Sequence, residues 1–508
     1  MVTLNKMRSF TPLLFTLFVL VAGTISAQTI SVDNDTTAEV LRQTGWSITG
    51  EECLEHVSIL ASEEFSGRGP GSEHFRKTAE YIAHQFRQMG LSPGVRDTSY
   101  YQRFTIGRNF IQSPVQLSME IPVQTEAGYD TLWMDFDMEE DFIPAGSTAP
   151  WDTLTDVVLA GYGISAEEKG WDDYEKIDVR NKLVMVLNGA PDLEEVSFGG
   201  LARTRNKISA ADSAGAAGVI TVGHPIGSIS TKQKLPAIRV TEETAEALLK
   251  GTGYTVDSVK KAMKAKESSI ALRLKHRLRI QVKSEFHPDQ KTMNIVGVLP
   301  GSDPELKDEY LVVGAHADHL GRIAGKAFYG ANDNGSGTAT VLEVAEAFSK
   351  LPRAPKRSVV FILFSAEEMG LLGSKYYADN PLFPAENTRA MINLDMVGSG
   401  REALMLVGGH TYPEFAGLFE KLSQKHIPIP IRRRWTSNNS DHYPFHEIGI
   451  PSIFMYAVGG VPTYHSTRDR AETLDPETME KAGRITFLAL WHLANTGQVE
   501  FQMVERPG

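Results

Sequence analysis

Residues 311–337 constrain this chain more tightly than any other stretch. They read as a buried strand, LVVGAHADHLG, running into a Gly-rich loop, GANDNGSG, that opens a helix over Gly337–Ser349. His316 and Asp318 alternate at the strand's end, and Asp333 stands at the helix entrance. Open α/β sheets build their sites at the carboxyl ends of strands, so three metal-competent side chains at that edge predict a metal site. The pattern then repeats downstream. The apolar run 359–364 ends in the doublet Glu367 and Glu368, MINLDMVG ends in Asp395, and TYHSTRD places His465 in a loop after the strand 453–458. One strand ending in a polar residue is commonplace. Four in order, each delivering an acid or an imidazole, specify a shared site.

These side chains divide by chemistry. Zinc takes imidazole nitrogen and carboxylate oxygen, and a catalytic zinc keeps one position open. Two such ions close together clamp the attacking and leaving oxygens of one reaction. Two histidines and three acids make the inventory for a metal pair bridged by one carboxylate. A further carboxylate must stay off the metals to take a proton from water. The doublet Glu367–Glu368 supplies both roles, because neighbours in a loop point in different directions. Asp318 is placed to accept the second ring N–H of His316 and so orient that imidazole. By strand alternation, His319 is expected to point away from the neighbourhood of Asp318, or into the loop, and is not counted as a ligand.

The motifs HADHLG, GANDNGSGTA, FSAEEMGLLGS, NLDMVG and YHS, in this order and strand context, resemble those of the M28 family of zinc peptidases. The resemblance extends over the whole mature chain. That family includes leucyl-type aminopeptidases, glutamate carboxypeptidases, glutaminyl cyclases and the inactive transferrin receptors. The resemblance implies a zinc-exopeptidase fold, a three-layer α/β sandwich with a mostly parallel central sheet. It implies two Zn2+ ions, one on His316, Asp333 and Asp395, the other on Asp333, Glu368 and His465. Asp333 would bridge them and Glu367 would be the general base. A cis peptide bond after Asp333 is implied as well. Family members often carry Asp where this chain has Asn332, but the D-x-x-S-G spacing keeps the ligand at Asp333.

Substrate contacts follow from the same resemblance. Tyr464, beside His465, is either a donor to the oxyanion formed at the scissile carbonyl or an aromatic wall of the pocket. Aligning HEIGIPSIFMY with the family's equivalent strand puts Phe454 and Tyr456 near the first pocket, and Met396 joins them from beside Asp395. Together they suit a Leu-, Met- or Phe-like side chain. The substrate is then a peptide with a free N-terminus, its ammonium received by Glu367, Glu368 and Asp395.

Competing readings use other residues. SDHYPFHEIGIP brings together Ser440, Asp441 and His442, but groups so close in sequence do not easily adopt triad geometry; a role in supporting the metals is expected instead. An inactive binding ectodomain of transferrin-receptor type would lose metal ligands without cost, and here every ligand position and the base are present. The inserted domain counts against a glutaminyl cyclase. Arg432, Arg433 and Arg434, just before the SDH motif, keep open a carboxypeptidase or dipeptidase that reads a C-terminal carboxylate; otherwise they lie exposed on a surface loop.

A chain of 508 residues is too long for one core. Residues 1–27 read as a signal peptide: Lys6 and Arg8, an apolar stretch at 13–21 broken by Thr16, then small residues to Ala27. That stretch is too short for a span, so an exported, periplasmic or extracellular protein without stable membrane insertion is expected. Cys53 is the only cysteine, within a helical apolar pattern, and is expected to be a buried thiol. After a flexible tail at 28–47, residues 48–143 form the first part of the peptidase domain, with an amphipathic helix at 72–89 stopped by Gly90. Residues 144–285 change texture to short strands and turns, resembling a mainly-β protease-associated domain. It serves either as a lid shaping substrate entry or as a packing module. The basic run 259–279 is expected to form a solvated helix and an edge strand. Residues 286–497 complete the peptidase domain and 498–508 form a C-terminal tail. The net charge of −12 argues against nucleic acid, which requires a basic face.

Overall fold

The computed structural model describes residues 39–40 and 44–507, with 97, 127, 194 and 195 excepted. The expected signal peptide at 1–27, and the expected tail as far as residue 38, lie outside the described residues. At the end of that tail Gly45–Ser47 form a 3-10 turn, with Trp46 beneath the Arg484 guanidinium at 4.3 Å. Helix Gly50–Leu60 follows and buries Cys53 as a free thiol. Helix Glu73–Gln88 starts where Ser72 accepts a hydrogen bond from the Phe75 N–H. Its Phe75, Ala79, Ile82 and Phe86 recur at helical spacing and are all buried. Gly90, at φ +75°, ends it in a conformation that glycine adopts without steric cost.

Four parallel strands lie side by side in the order Ser452–Val458, Thr388–Leu394, Tyr310–His316 and Ser358–Phe364. Every residue of Ser358–Phe364 is buried, so its unbroken apolar run reflects cover on both faces. Leu311, Val313, Val359 and Phe361 face helices Glu73–Gln88, Gly337–Ser349 and Pro476–Asn495. Val312, Val360 and Ile362 face the other way, onto Tyr377 and Phe445 of helices Leu372–Asp379 and His442–Glu447. The result is a three-layer α/β sandwich. Because these strands share one direction, their carboxyl ends bring His316, the Glu367–Glu368 turn, Asp395 and the His465 loop to a single edge.

The long strand Ala271–Leu299 ties this body to the rest of the chain. Its end, from Ile295, runs antiparallel to Ser358–Phe364, and its beginning lies between Tyr101–Thr125 and Trp151–Ala160. Beyond it come Trp151–Ala160, Leu183–Leu187, Gly218–Val222 and Ala237–Val240, all parallel, closed by antiparallel Phe142–Pro144. Residues 285 and 286, taken from sequence as a domain limit, fall inside this one strand. The basic run is helix Val256–Lys266 followed by the start of the long strand, which pairs on one side only, with Trp151–Ala160, as far as Arg277 and gains Tyr101–Thr125 as a second neighbour from Leu278. Leu278, Ile280 and Val282 enter the core, while Arg277 and Arg279 pair with Glu120 and Asp152 on the open face. After Gly497 the chain is irregular, yet Val499 is buried and Phe501 stacks on Phe415 at 4.5 Å. Among the described residues no helix is long and apolar enough to cross a membrane.

Candidate metal centre

Two clusters of candidate ligands meet at the sheet edge, and Asp333 belongs to both. On one side, His316 Nε2 lies 3.3 Å from Asp333 Oδ1 and 3.4 Å from Asp395 Oδ1. On the other, His465 Nε2 lies 3.2 Å from Asp333 Oδ2 and 2.9 Å from Glu368 Oε2. Ligand atoms bound tetrahedrally at zinc–ligand lengths sit about 3.3 Å apart, so both clusters have the spacing of a coordination shell. Asp395 Oδ1 and His465 Nε2 are buried and lack a hydrogen-bond partner, as donor atoms facing a cation would be. The residues present therefore fit a pair of divalent ions, with one oxygen of Asp333 turned to each.

The peptide bond from Asp333 to Asn334 is cis, as the resemblance implied. Asn332, where relatives often have Asp, turns its side chain to the Gly398 N–H at 3.0 Å and leaves the ligand position alone. Asn334 ties the same loop to the Asp395 strand, donating to Leu394 O and accepting from the N–H of Met396. Gly330 is required for this loop to close. It sits at φ +61°, and a Cβ there would lie 2.1 Å from Asp333 O and 2.4 Å from the His319 ring.

Each candidate ligand except Asp333, whose two oxygens both face the clusters, is held by an outer atom, an arrangement that fixes direction and basicity. His316 Nδ1 faces a carbonyl, the main-chain oxygen of Asp318 at 3.1 Å. The Asp318 carboxylate, expected to do this, lies farther off at 3.8 Å and accepts from the Glu367 N–H instead. Burial pushes that carboxyl up to about 7. Ser440 donates to Asp395 Oδ2 at 2.6 Å, which leaves Oδ1 for the cluster, and Asn393 donates to Ser440 in turn. His442, depressed to about 3 by burial, has neither ring nitrogen hydrogen-bonded. Ser440, Asp441 and His442 thus form no triad; the serine supports a candidate ligand.

The doublet splits on the turn Glu367–Met369, which follows Ala366 at φ +59°. Burial opposes ionisation of Glu368, yet His465 and His319 outweigh it and bring its pKa to about 2. Glu367 lies beside His316, and its carboxylate accepts no hydrogen bond among the described residues. Burial, reinforced by Glu368, Asp441 and Asp395 around it, raises its pKa well above the usual range. Burial opposes protonation of both His316 and His465, but the surrounding carboxylates prevail and raise both. A divalent cation competes with those protons, so its affinity falls as pH drops.

His319 turns into the loop, its ring beside Gly330, but it also joins Asp333, Glu368 and His465 in the second cluster, where it had not been counted. The strand Tyr310–His316 ends at His316, so strict alternation no longer applies three residues later. Its Nδ1 lies 2.7 Å from Glu368 Oε1, which leaves Oε2 facing His465. Two more supports gave no local sequence signal. Asp469 accepts the N–H groups of Asn332 and Asp333 at 2.8 and 3.0 Å. Arg68, fully buried, donates to the carbonyls of Leu60, Ala317, Tyr329 and Gly330, joining both ligand-bearing loops. Arg68→Met keeps much of the volume and orphans these acceptors. It should cost at least about 3 kcal/mol, read as a lower urea midpoint at unchanged slope.

Tyr464 is half exposed and stacks on the His465 ring at 3.7 Å. Desolvation, then Glu368 and the other carboxylates, raises its phenol, which stays a proton donor at neutral pH. Met396 and Tyr456 are partly exposed, while Phe454, only 5% exposed, packs between His442 and Tyr456. Of the arginine run, Arg432 pairs with Glu402 and Arg433 with both oxygens of Glu420. Arg434 donates to the Tyr456 hydroxyl at 3.1 Å. Within this run, among the described residues, only Arg434 is without a carboxylate partner.

Comparison with known proteins agrees with this architecture. Residues 294–490 match the model of peptidase family M28 and residues 153–248 that of the PA domain. The chain is 31% identical over 220 residues to aminopeptidase YwaD of Bacillus subtilis, covering 41% of this chain and 46% of that protein. It is 30% identical over 222 residues to leupeptin-inactivating enzyme 1 of Streptomyces exfoliatus, covering 39% of this chain and 48% of that one. The matches thus span about half the length of these curated relatives. A zinc aminopeptidase from Bacillus subtilis shares the fold at TM-score 0.63 and 22% identity, over 90% of this chain and 98% of that structure. A peptidase M28 precursor from Shewanella amazonensis does so at TM-score 0.64 and 16% identity, over 93% and 98%. Residues 294–490 are thus a peptidase family M28 domain and residues 153–248 a PA domain, within a fold common to both of these structures.

Proposed function

We propose that this chain is an exported metallo-aminopeptidase that holds two zinc ions and removes the first residue of unblocked peptides. The observation that carries the reading is the division of Asp333, whose two carboxylate oxygens face two separate imidazole–carboxylate clusters. The aminopeptidase activity for which YwaD is named, and the zinc in the name of the Bacillus subtilis structure, support the reaction and the metal. Export rests on the character of residues 1–27.

When bound, the ions would polarise the scissile carbonyl and make water easier to deprotonate. Glu367 takes the proton from that water at its free carboxylate and returns it to the departing amine, as a general base that becomes a general acid. Tyr464 donates its phenolic O–H to the carbonyl oxygen as charge develops there. The ammonium of the substrate sits among Glu367, Glu368 and Asp395. Its first side chain rests against Met396 and Tyr456, with Phe454 behind them.

An N-acetyl group removes the charge that those carboxylates attract. Leu-, Met- and Phe-initiated peptides should be cleaved one residue at a time, and their acetylated forms almost not at all. Following product by mass spectrometry settles it. Equal turnover of free and acetylated peptides would reject an aminopeptidase and favour reading of the C-terminal end.

A further inference from the structure

We propose that the PA domain completes the second metal position, through the Gly227 peptide, which holds His465 in place. This rests on the two-zinc reading above and assigns the inserted domain a part in it.

His465 stands alone among the candidate ligands in needing help from outside the peptidase body. The outer atoms of His316, Glu368 and Asp395 are held by Asp318, His319 and Ser440, and the Asp333 main chain by Asp469, all from the peptidase portion. His465 Nδ1 instead lies 3.1 Å from the carbonyl of Gly227. A carbonyl only accepts, so Nδ1 carries the proton and Nε2 is left to face Asp333 and Glu368. The same glycine returns its N–H to the His465 carbonyl at 2.8 Å. One residue of the insert thus fixes both the ring and the main chain of one candidate ligand.

The clasp answers a local demand. His465 has φ +52°, in the left-handed region that favours glycine. A side chain there keeps its direction only if its surroundings hold it.

Gly227 is itself pinned from both sides. It belongs to the connection between strands Gly218–Val222 and Ala237–Val240. Its neighbour Ser228 accepts from the Gly146 N–H at 3.0 Å, and Ser230 O accepts from the Asn109 N–H at 3.0 Å. A Cβ at position 227 would lie 2.6 Å from Leu320 and 2.8 Å from Phe328, which flank the turn between His316 and Asp333. The close approach that delivers the carbonyl therefore requires glycine. Among the described residues the first metal position has no such contact with the insert, so the two positions should respond differently when the clasp is loosened.

The test uses the full chain, stripped of metal and titrated with zinc in zinc buffers, with bound metal measured by elemental analysis. Wild type should take up two ions. Gly227→Val should bind the first as wild type does and the second roughly 10- to 100-fold more weakly, the range seen when an outer-shell partner is lost. The thermal midpoint of the metal-free protein distinguishes local displacement from general damage and should stay close to wild type. Ser228→Ala, which loosens the same connection without adding bulk, should weaken the second ion in the same order by a smaller factor, and it serves if the valine variant fails to fold. Unchanged second-ion affinity in the folded variants overturns the proposal, and so does equal weakening of both ions. Wild type binding fewer than two ions would instead reject the two-zinc reading on which it rests.

Discussion

Asp333→Ala should leave a folded protein that retains neither ion. The side chain is the only group shared by both clusters, so its loss removes one ligand from each, and the negative charge that lets two cations lie close together goes with it. His316→Ala, by contrast, touches one cluster and should mainly lose one ion. The backbone argument says that the alanine variant folds. The loop is held through the N–H groups of Asn332 and Asp333 on Asp469 and through the Asn334 side chain, none of which involves the Asp333 carboxylate. Without metal, burial opposes the Asp333 charge, but His316 and His465 outweigh it and hold the carboxyl well below its usual range, so its removal should lower the thermal midpoint of chelator-treated protein without abolishing folding. Elemental analysis of purified wild type and both variants decides the matter. A single ion in fully active wild type would sink the bridged arrangement, and so would one ion firmly retained in Asp333→Ala.

The candidate ligands were legible in sequence because parallel strands turn a linear pattern into a spatial one. An apolar run of strand length must be buried, it points one way, and its end lies at the shared edge; His316, the Glu367–Glu368 doublet and Asp395 needed no further information, whereas the choice of Glu368 as ligand came from the family resemblance. Helix Glu73–Gln88 was legible for a similar reason, its cap, stripe and stop all being local. What could not be read was whatever depends on distant chain. Asp469 lies 136 residues beyond the loop that it holds, and Gly227 lies 238 residues before His465. Arg68 looks like any arginine in a Gly-rich turn until its four carbonyl partners are assembled around it. His319 was misjudged because alternation was extended past the last paired residue of its strand. The arginine run shows another limit. Charge in sequence does not say which groups are already neutralised, and Glu402 and Glu420 take up Arg432 and Arg433.

Glu367→Gln should keep both ions and lose turnover by about 10²- to 10⁴-fold, the range for removal of a general base. The geometry separates it from its neighbour. Glu368 is engaged by His465 at 2.9 Å and by His319 at 2.7 Å, whereas the Glu367 carboxylate accepts no hydrogen bond among the described residues and remains available to water. Glutamine at 367 preserves shape and cannot take a proton, so kcat should fall by that factor, and KM should rise by a smaller one because one of the three carboxylates that receive the ammonium is lost. The pH dependence carries a further sign. Burial raises the Glu367 carboxyl in the metal-free protein, and nearby divalent cations would draw it down again. Only its ionised form acts as a base, so wild-type kcat should rise with pH through that pKa and then level, and the acid limb should be absent from Glu367→Gln. Glu368→Gln should do the reverse, weakening the second ion while sparing the base, so that added zinc restores part of its activity. Stopped assays with and without excess zinc separate the two. Recovery of Glu367→Gln by zinc, with none for Glu368→Gln, would mean that the roles within the doublet are exchanged.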